Sequence, residues 1–213
     1  MRERTLQDPF APMASAPDQS SISLPDSDIV ARLAGRPIVI VGMMGSGKTT
    51  VGRRLAARLG LGFVDSDAEI ETAAAMSIPE IFAARGEDEF RAGEARVIAR
   101  LLREHPGVIA TGGGAFMSAE TREVIGRSAV SVWLKADFEI LFARVSKRSN
   151  RPLLHTPDPR GTLQRLIEAR YPTYALADIT VTSSDVPHEM VVEQITRALS
   201  AHLSSEMKNA DVR

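Results

Sequence analysis

Three glycines, a lysine and two threonines follow an apolar run near residue 40, and their spacing indicates a phosphate site. The pattern Gly42-x-x-x-x-Gly47-Lys48-Thr49 is that of a P-loop. In such a loop, backbone N–H groups surround phosphate oxygens, the lysine reaches the outer phosphates, and the next hydroxyl binds Mg²⁺. Glycine is needed because the backbone must turn tightly and approach the phosphate closely. The residues predicted to bind phosphate are Gly45, Ser46, Gly47, Lys48, Thr49 and Thr50.

Two aspartates, Asp65 and Asp67, stand where a second strand should end and a helix should begin. Mg²⁺ prefers carboxylate oxygens, water and substrate phosphates, so Asp65 is a candidate metal ligand, directly or through water. An alternative is open from the residues alone. Ser66 and Glu69 have the spacing of a helix capping box, and acids in a first helical turn complement the helix dipole.

A glycine triplet, Gly112–Gly114, follows a third apolar run. One glycine would suffice for a flexible turn. Three in succession remove every side chain from a stretch of backbone, so that a small polar ligand can rest on bare N–H groups. We therefore predict that the triplet contacts a ligand.

Several arginines are candidates for binding anions. Arg91 can pair along a helix with Glu87 or Glu94, which would make it an ordinary solvated side chain, or it can bind a ligand. A basic cluster at residues 144–160 includes a loop-like, proline-rich stretch at residues 149–159 and suits closure over a triphosphate. Arg170 precedes a proline that should end its helix, and its planar fork suits a carboxylate. The cluster comprises Arg144, Lys147, Arg148, Arg151 and Arg160.

Short apolar runs alternate with helical patterns along the chain, which predicts an α/β fold with a parallel sheet and helices on both faces. Such sheets bind ligands at the carboxyl ends of their strands, and the motifs above fall at such ends or on the helices that follow. The predicted strands are residues 38–41, 62–65, 108–111, 130–134 and 179–182. The predicted helices are residues 48–59, 68–75, 78–84, 87–103, 119–125, 137–146, 162–169 and 188–201.

Composition predicts one globular domain. The chain has 213 residues, of which 44% are hydrophobic and 25% are charged. A net charge of −1 favours neither nucleic acid nor membrane as a partner, and the absence of cysteine fits a reducing cytoplasm. We predict a disordered extension over residues 1–32, a domain over residues 33–203 and a frayed tail over residues 204–213, because the first stretch is rich in Pro and Ser.

Taken together, these motifs resemble those of shikimate kinase, one of the small P-loop kinases. The resemblance covers about residues 36–200. It implies a nucleoside monophosphate kinase-like fold with strand order 2-3-1-4-5, a substrate-binding helical region near residues 66–95 and a mobile lid near residues 147–160. It also implies phosphoryl transfer from ATP, with one Mg²⁺, to the 3-hydroxyl of shikimate in a monomer. The matching motifs are Gly42-Met-Met-Gly-Ser-Gly-Lys-Thr49, Asp65-Ser-Asp67, Phe90-Arg-Ala-Gly-Glu94, Gly112-Gly-Gly114, Arg151-Pro-Leu-Leu154 and Arg170 with Pro172 and Tyr174.

On the nucleotide side, the resemblance implies that Lys48 contacts the phosphates and that Arg151 is a lid arginine reaching them. Arg144 resembles an arginine that packs on adenine. Thr49 would ligate Mg²⁺, and Asp65 would hold the ion through water.

On the acceptor side, the resemblance implies that Asp67 binds substrate hydroxyls and is the candidate base. Arg91 and Arg170 resemble a pair that clamps the shikimate carboxylate, and the backbone of Gly112–Gly114 would contact ring hydroxyls.

The chain departs from the family pattern in two places. Thr173 stands where the family often has leucine, and residues 183–187 lack an arginine that some members place near adenine. The alternatives are a gluconate-type kinase, a nucleotide-binding switch and an inactive relative. A GTPase should show an Asn/Thr-Lys-x-Asp motif, which the sequence lacks, and an inactive relative should lack Lys48, Asp67 or Arg151.

Overall fold

A computed structural model of the chain describes residues 26–147 and 156–210. The strands are β1 (Ile38–Val41), β2 (Phe63–Asp65), β3 (Val108–Ala110), β4 (Val130–Lys135) and β5 (Ile179–Thr182). The helices are α1 (Asp26–Leu33), α2 (Lys48–Leu59), α3 (Ser66–Ala74), α4 (Ile78–Glu104), α5 (Ala119–Ser128), α6 (Phe138–Ser146), α7 (Pro159–Tyr174) and α8 (His188–Ala210).

The five strands form one sheet in the order β2-β3-β1-β4-β5, and each pair of neighbours is parallel. This confirms the predicted fold class and strand order. The carboxyl ends of β1, β2 and β3 therefore meet at one edge, which brings together the P-loop, Asp65 and the glycine triplet.

The sheet is covered on both faces, and its inner strands β1 and β3 are apolar and buried along their whole length. Ile38 and Ile40 of β1 pack into a cluster with α1, α2 and α8. The alternate residues Val39 and Val41 pack into a second cluster with α4, α5, α6 and α7. Alternation along β1 thus divides the core into two layers.

A third, smaller cluster lies away from the sheet. It joins α3 to the first part of α4 through the buried side chains of Ile70, Ile81 and Phe90. At Gly86, φ is 81° and ψ is 176°, so the backbone of α4 leaves the helical conformation there. The two helices predicted for this stretch are thus joined across a glycine kink. The resemblance predicts substrate binding near residues 66–95, and we therefore call α3 and residues 78–90 the acceptor lobe.

Both predicted chain boundaries need correction where the structure describes them. The extension predicted over residues 1–32 is too long, because Asp26–Leu33 forms α1 and buries Ile29 and Leu33 in the core. The predicted tail is also too long, since α8 continues to Ala210 and Glu206 pairs with Arg36 at 2.7 Å. Within the described ranges, no helix has the length and apolarity needed to cross a bilayer.

The end predicted for the helix near Arg170 is wrong. Helix α7 runs on to Tyr174 with Pro172 inside it. The proline removes one backbone donor, but the residues around it are anchored, because the Tyr171 and Tyr174 hydroxyls donate to the carbonyls of Ala136 and Gly113.

Candidate active site

The P-loop backbone adopts conformations that only glycine takes readily. Gly42, Gly45 and Gly47 have φ values of 140°, 81° and 98°. Gly47 is the residue before α2 and provides no side-chain cap, so the first N–H groups of that helix have no acceptor within the helix itself. A helix start and a loop of this kind suit an anion.

The lysine and the hydroxyl of the motif face the loop and the second strand. Lys48 Nζ donates to the carbonyls of Gly42 and Met43, at 3.0 Å each. Thr49 Oγ1 donates to Asp65 Oδ2 at 2.8 Å. Thr49 and Asp65, the two predicted Mg²⁺ ligands, are therefore brought together by the start of α2 and the end of β2.

The donor set at Thr49 and Asp65 fits Mg²⁺. A hydroxyl and a carboxylate are hard oxygen ligands, and Mg²⁺ in phosphoryl-transfer sites takes few protein ligands beside phosphates and water. Among residues 26–147 and 156–210, no three His, Asp or Glu side chains gather as a metal cage. An ion at this pair would therefore depend on phosphate and water for its remaining ligands.

Arg144, at the end of α6, links the P-loop to the loop after β5. Its Nη1 donates to the Gly45 carbonyl at 3.4 Å and to Ser183 Oγ at 3.3 Å, while its Nη2 donates to the Ser184 carbonyl at 3.4 Å. Arg144 thus lies beside the P-loop. The structure also brings in Ser183 and Ser184, which belong to the stretch that lacks the arginine found in some family members.

Asp65 also begins the next helix. Its Oδ1 accepts from the Asp67 backbone N–H at 3.1 Å, so Asp65 is the cap of α3. The capping box considered for Ser66 and Glu69 is wrong. Ser66 Oγ instead accepts from the Gly112 N–H at 3.2 Å, and Glu69 pairs with Arg100 at 2.7 Å.

Two carboxylates lie over Gly112. A methyl group on Gly112 would lie 2.6 Å from Asp67 Oδ1 and 3.0 Å from Glu94 Oε1. The absence of a side chain at Gly112 therefore leaves the space that Asp67 and Glu94 occupy.

Arg91 lies against Gly114 and is held by two glutamates. Its Nη1 pairs with the buried Glu94 at 2.7 Å, and its Nη2 pairs with the exposed Glu87 at 3.2 Å. Burial alone would lower the pKa of Arg91, but the two glutamates raise it. Burial raises the pKa of Glu94, and the charges of Arg91 and Arg170 oppose that shift. The pairing of Arg91 with Glu87 and Glu94, which we considered as the alternative to ligand binding, is thus present and fixes the guanidinium.

Arg170 reaches the same loop from α7. Its Nη1 donates to the Gly113 carbonyl at 3.3 Å. A methyl group on Gly113 would lie 3.6 Å from this nitrogen, and one on Gly114 would lie 2.4 Å from Arg91 Nη1. Arg91 and Arg170, which are 79 residues apart in the sequence, therefore lie over adjacent glycines.

A cavity of about 620 Å³ opens between the glycine triplet and the acceptor lobe. Its polar wall contains Asp67, Arg91, Glu94, Arg170 and Gly112–Gly114. Its apolar wall contains Met44, Ile78, Phe82 and Phe90. The cavity suits a small ligand with a carboxylate, several hydroxyls and one apolar face.

The structure brings the described candidate residues into two adjoining groups. Gly45–Thr50, Asp65 and Arg144, which are predicted to bind nucleotide and Mg²⁺, form one group, and Asp67, Arg91, Gly112–Gly114 and Arg170, which are predicted to bind the acceptor, form the other. Arg151 and most of the predicted lid lie outside the described residues. Sequence reasoning gave Glu94 no role of its own, although its three-residue spacing from Arg91 was a usable signal.

Comparison with known proteins identifies the family. The family model described as shikimate kinase matches residues 44–200. The chain is 57% identical over 193 residues to a shikimate kinase of Bradyrhizobium diazoefficiens, covering 91% of this chain and 92% of the relative.

Comparison with solved structures supports the same family. A shikimate kinase from Acinetobacter baumannii in complex with shikimate superposes with a TM-score of 0.73 at 38% identity, covering 78% of this chain and 94% of that one. A gluconokinase from Sinorhizobium meliloti superposes with a TM-score of 0.56 at 20% identity, covering 83% of this chain and 97% of that one, so it shares the fold alone. With a family model that spans most of the domain and a relative alike over nine-tenths of its length, the chain belongs to the shikimate kinase family.

Proposed function

We propose that the protein transfers the γ-phosphoryl group of ATP to the 3-hydroxyl of shikimate, giving shikimate 3-phosphate and ADP on the route to chorismate. The observation that carries this proposal is the convergence of Arg91 and Arg170 on adjacent glycines beside a P-loop. A P-loop alone is compatible with any kinase. Two guanidinium groups over a stretch of backbone without side chains also indicate an anionic acceptor.

In this proposal the two sides of the site have separate tasks. Lys48, the P-loop N–H groups and Arg151 hold the phosphates, and Arg144 packs on adenine. Thr49 and Asp65 hold Mg²⁺, which offsets phosphate charge when it is bound. Arg91 and Arg170 bind the shikimate carboxylate, while the triplet backbone and Asp67 bind hydroxyls.

The transfer itself needs one proton acceptor. The 3-hydroxyl oxygen forms a bond to the γ-phosphorus as the bond from that phosphorus to the bridging oxygen of ADP breaks. The hydroxyl proton passes to Asp67. Because phosphoryl transfer has a loose transition state, orientation of the hydroxyl counts for more than its prior deprotonation. Asp67 lies on the first turn of α3, which Asp65 fixes through its cap.

A gluconate-type kinase is the second candidate, and only the shared fold supports it. Gluconate carries a carboxylate as shikimate does, so the arginine pair does not distinguish the two acceptors, whereas the family model and the 57% identical relative favour shikimate. We further propose that the protein works in the cytoplasm as a monomer without nucleic acid or membrane partners.

Turnover with defined acceptors tests the proposal. ADP release should be measured with ATP and Mg²⁺ in the presence of shikimate, gluconate or no acceptor. We expect shikimate-dependent turnover at least 100-fold above both of the others, which corresponds to about 2.7 kcal/mol of transition-state discrimination. Equal rates with gluconate would contradict the assignment.

A further inference from the structure

Tyr174, the last residue of α7, is a buried phenol behind the glycine triplet. Its side chain is fully buried, and its hydroxyl donates a hydrogen bond to the Gly113 carbonyl. It does not line the cavity, so it cannot touch a substrate bound there.

The same carbonyl accepts from Arg170 Nη1 at 3.3 Å. Tyr174 and Arg170 are one helical turn apart on α7, so one short segment directs two donors to a single oxygen. The peptide that follows is trans, since the described chain has no cis peptide bonds. The Gly114 N–H therefore points opposite to the Gly113 carbonyl, away from these two donors.

Aromatic packing fixes the phenol in this position. The Tyr174 ring stacks on Phe116, with centroids 6.4 Å apart, and on Trp133, with centroids 6.0 Å apart. Phe116 belongs to the turn that follows the triplet, and Trp133 belongs to β4. Burial raises the pKa of Tyr174 to about 12, so the hydroxyl keeps the proton it donates across the physiological range.

We propose that Tyr174 is a positioning residue for acceptor binding: its hydroxyl, together with Arg170, sets the orientation of the Gly113–Gly114 peptide and so the direction in which the Gly114 N–H meets a substrate hydroxyl. The inference rests on the proposed function, because shikimate is the ligand whose hydroxyl would meet that N–H. It concerns the acceptor side alone. Tyr174 has no hydrogen bond to the P-loop within the described residues, so nucleotide binding should not depend on its hydroxyl.

Replacement of one oxygen atom tests the proposal. Tyr174→Phe removes the hydroxyl and keeps the ring. Tyr171→Phe is the matched control. Tyr171 lies on the same helix as Tyr174, and its hydroxyl donates to a different backbone carbonyl, that of Ala136. For Tyr174→Phe we expect KM for shikimate to rise about three- to tenfold, the usual effect of one lost hydrogen bond, with kcat and KM for ATP within about twofold. The control should leave KM for shikimate within about twofold.

The outcomes separate this inference from the proposed function. If wild type does not phosphorylate shikimate, the proposed function fails. If wild type does so and Tyr174→Phe matches the control, or raises both KM values together, Tyr174 has only a structural role and the inference fails.

A second measurement does not require the Tyr174→Phe protein to fold. The chain has two tyrosines, so Tyr171→Phe labelled with 3-fluorotyrosine carries one fluorine probe, at Tyr174. A hydroxyl bound at the Gly114 N–H polarises the peptide and strengthens hydrogen bonds to its carbonyl. Shikimate should therefore shift the ¹⁹F resonance and ADP should not. A resonance unmoved at saturating shikimate would contradict the proposal.

Discussion

At the scale of single residues, the glycines of the site have two different physical roles. Those of the P-loop have positive φ, which other residues adopt only at a cost. Gly114 has an ordinary φ of −96°, so its backbone would accept any side chain. What it provides is space, because Arg91 occupies the position of the missing methyl group. Glycine content alone therefore does not distinguish a flexible loop from a site in which neighbouring side chains need room.

This distinction gives the first prediction. In Gly114→Ala the added methyl would lie 2.4 Å from Arg91 Nη1, so the guanidinium must move. We expect KM for shikimate to rise about tenfold or more, since a charge-assisted hydrogen bond contributes about 1.5–3 kcal/mol, with KM for ATP unchanged. Gly126→Ala is the control, because no atom lies within 4 Å of the added methyl. Steady-state kinetics would contradict the argument if both variants bound shikimate equally well.

The two aspartates should respond differently to the loss of charge. Asp67→Asn keeps the size and one acceptor oxygen, and we expect kcat to fall about 10²–10⁴-fold, the range for a lost general base, with nucleotide affinity retained. Asp65→Asn should instead raise the Mg²⁺ concentration needed for half-maximal rate, because Asp65 pairs with Thr49. Measurements of kcat, nucleotide affinity and Mg²⁺ dependence decide the roles. Near-normal turnover in Asp67→Asn would remove it from the catalytic machinery.

Glu94 should give stability a measurable pH dependence. Burial raises the pKa of Glu94 above its ordinary value of 4.5, so the folded protein holds this proton at pH values where the unfolded chain has lost it. The contribution of Glu94 to the free energy of unfolding is therefore greatest below about pH 4.5 and declines as pH rises through the folded pKa.

Glu94→Gln cannot ionise, so its stability relative to wild type should increase with pH across that window. Urea unfolding of both proteins at several pH values above 4.5 measures the difference. Glu87→Gln is the control, since Glu87 also pairs with Arg91 but its side chain is 67% exposed. A wild-type minus Glu94→Gln difference that is independent of pH would contradict the assignment.

At the scale of elements, α1 is an integral part of the domain although it precedes the family match at residue 44. Ile29 and Leu33 are 0% and 2% exposed in the cluster with α2 and α8. Arg58 of α2 pairs with Asp26 at 2.9 Å and also with Glu193 of α8. Because α2 begins at Lys48, α1 supports the helix that carries the P-loop lysine.

Loss of packing at α1 should therefore be costly. Ile29→Ala should lower the free energy of unfolding by about 2–5 kcal/mol, as other large-to-small core changes do. The exposed neighbour Ser27→Ala should change it by less than about 0.5 kcal/mol. Urea unfolding measures both values. Equal stability of the two variants would show that α1 is only loosely docked.

The sequence predicted elements best where local pattern and tertiary packing agree. The strand at residues 179–182 has the predicted bounds, because alternation and turn residues both mark it. Helix α7 continues past its predicted end with Pro172 inside it, and the hydrogen bonds from the neighbouring Tyr171 and Tyr174 hydroxyls to distant carbonyls cannot be read from the local pattern. The roles of Ser66 and Glu94 were missed for the same reason, as their partners come together only in the folded chain.

At the scale of the whole molecule, the carboxyl edge of the sheet holds both sides of the site, but the two sides rest on different packing. The P-loop follows β1 and Asp65 ends β2, and both strands pack in the large core. The acceptor lobe has its own small cluster, in which Ile70, Ile81 and Phe90 are buried. Gly86 interrupts α4 within this lobe. A region with few buried apolar side chains opens at a lower free energy than a central sheet.

The last prediction concerns how stability is distributed between these parts. In hydrogen exchange, amides of α3 and residues 78–85 should exchange faster than those of β1 and β3, because the lobe opens without unfolding the core. Shikimate should slow exchange in the lobe, since it would join Arg91 of α4 to the triplet after β3 and to Arg170 of α7. ADP is the control, and it should protect residues 42–50 while leaving the lobe unchanged. Arg170→Ala should reduce the protection by shikimate and keep that by ADP. Exchange that is uniform across lobe and sheet, or protection of the lobe by ADP alone, would contradict a separately stable acceptor lobe.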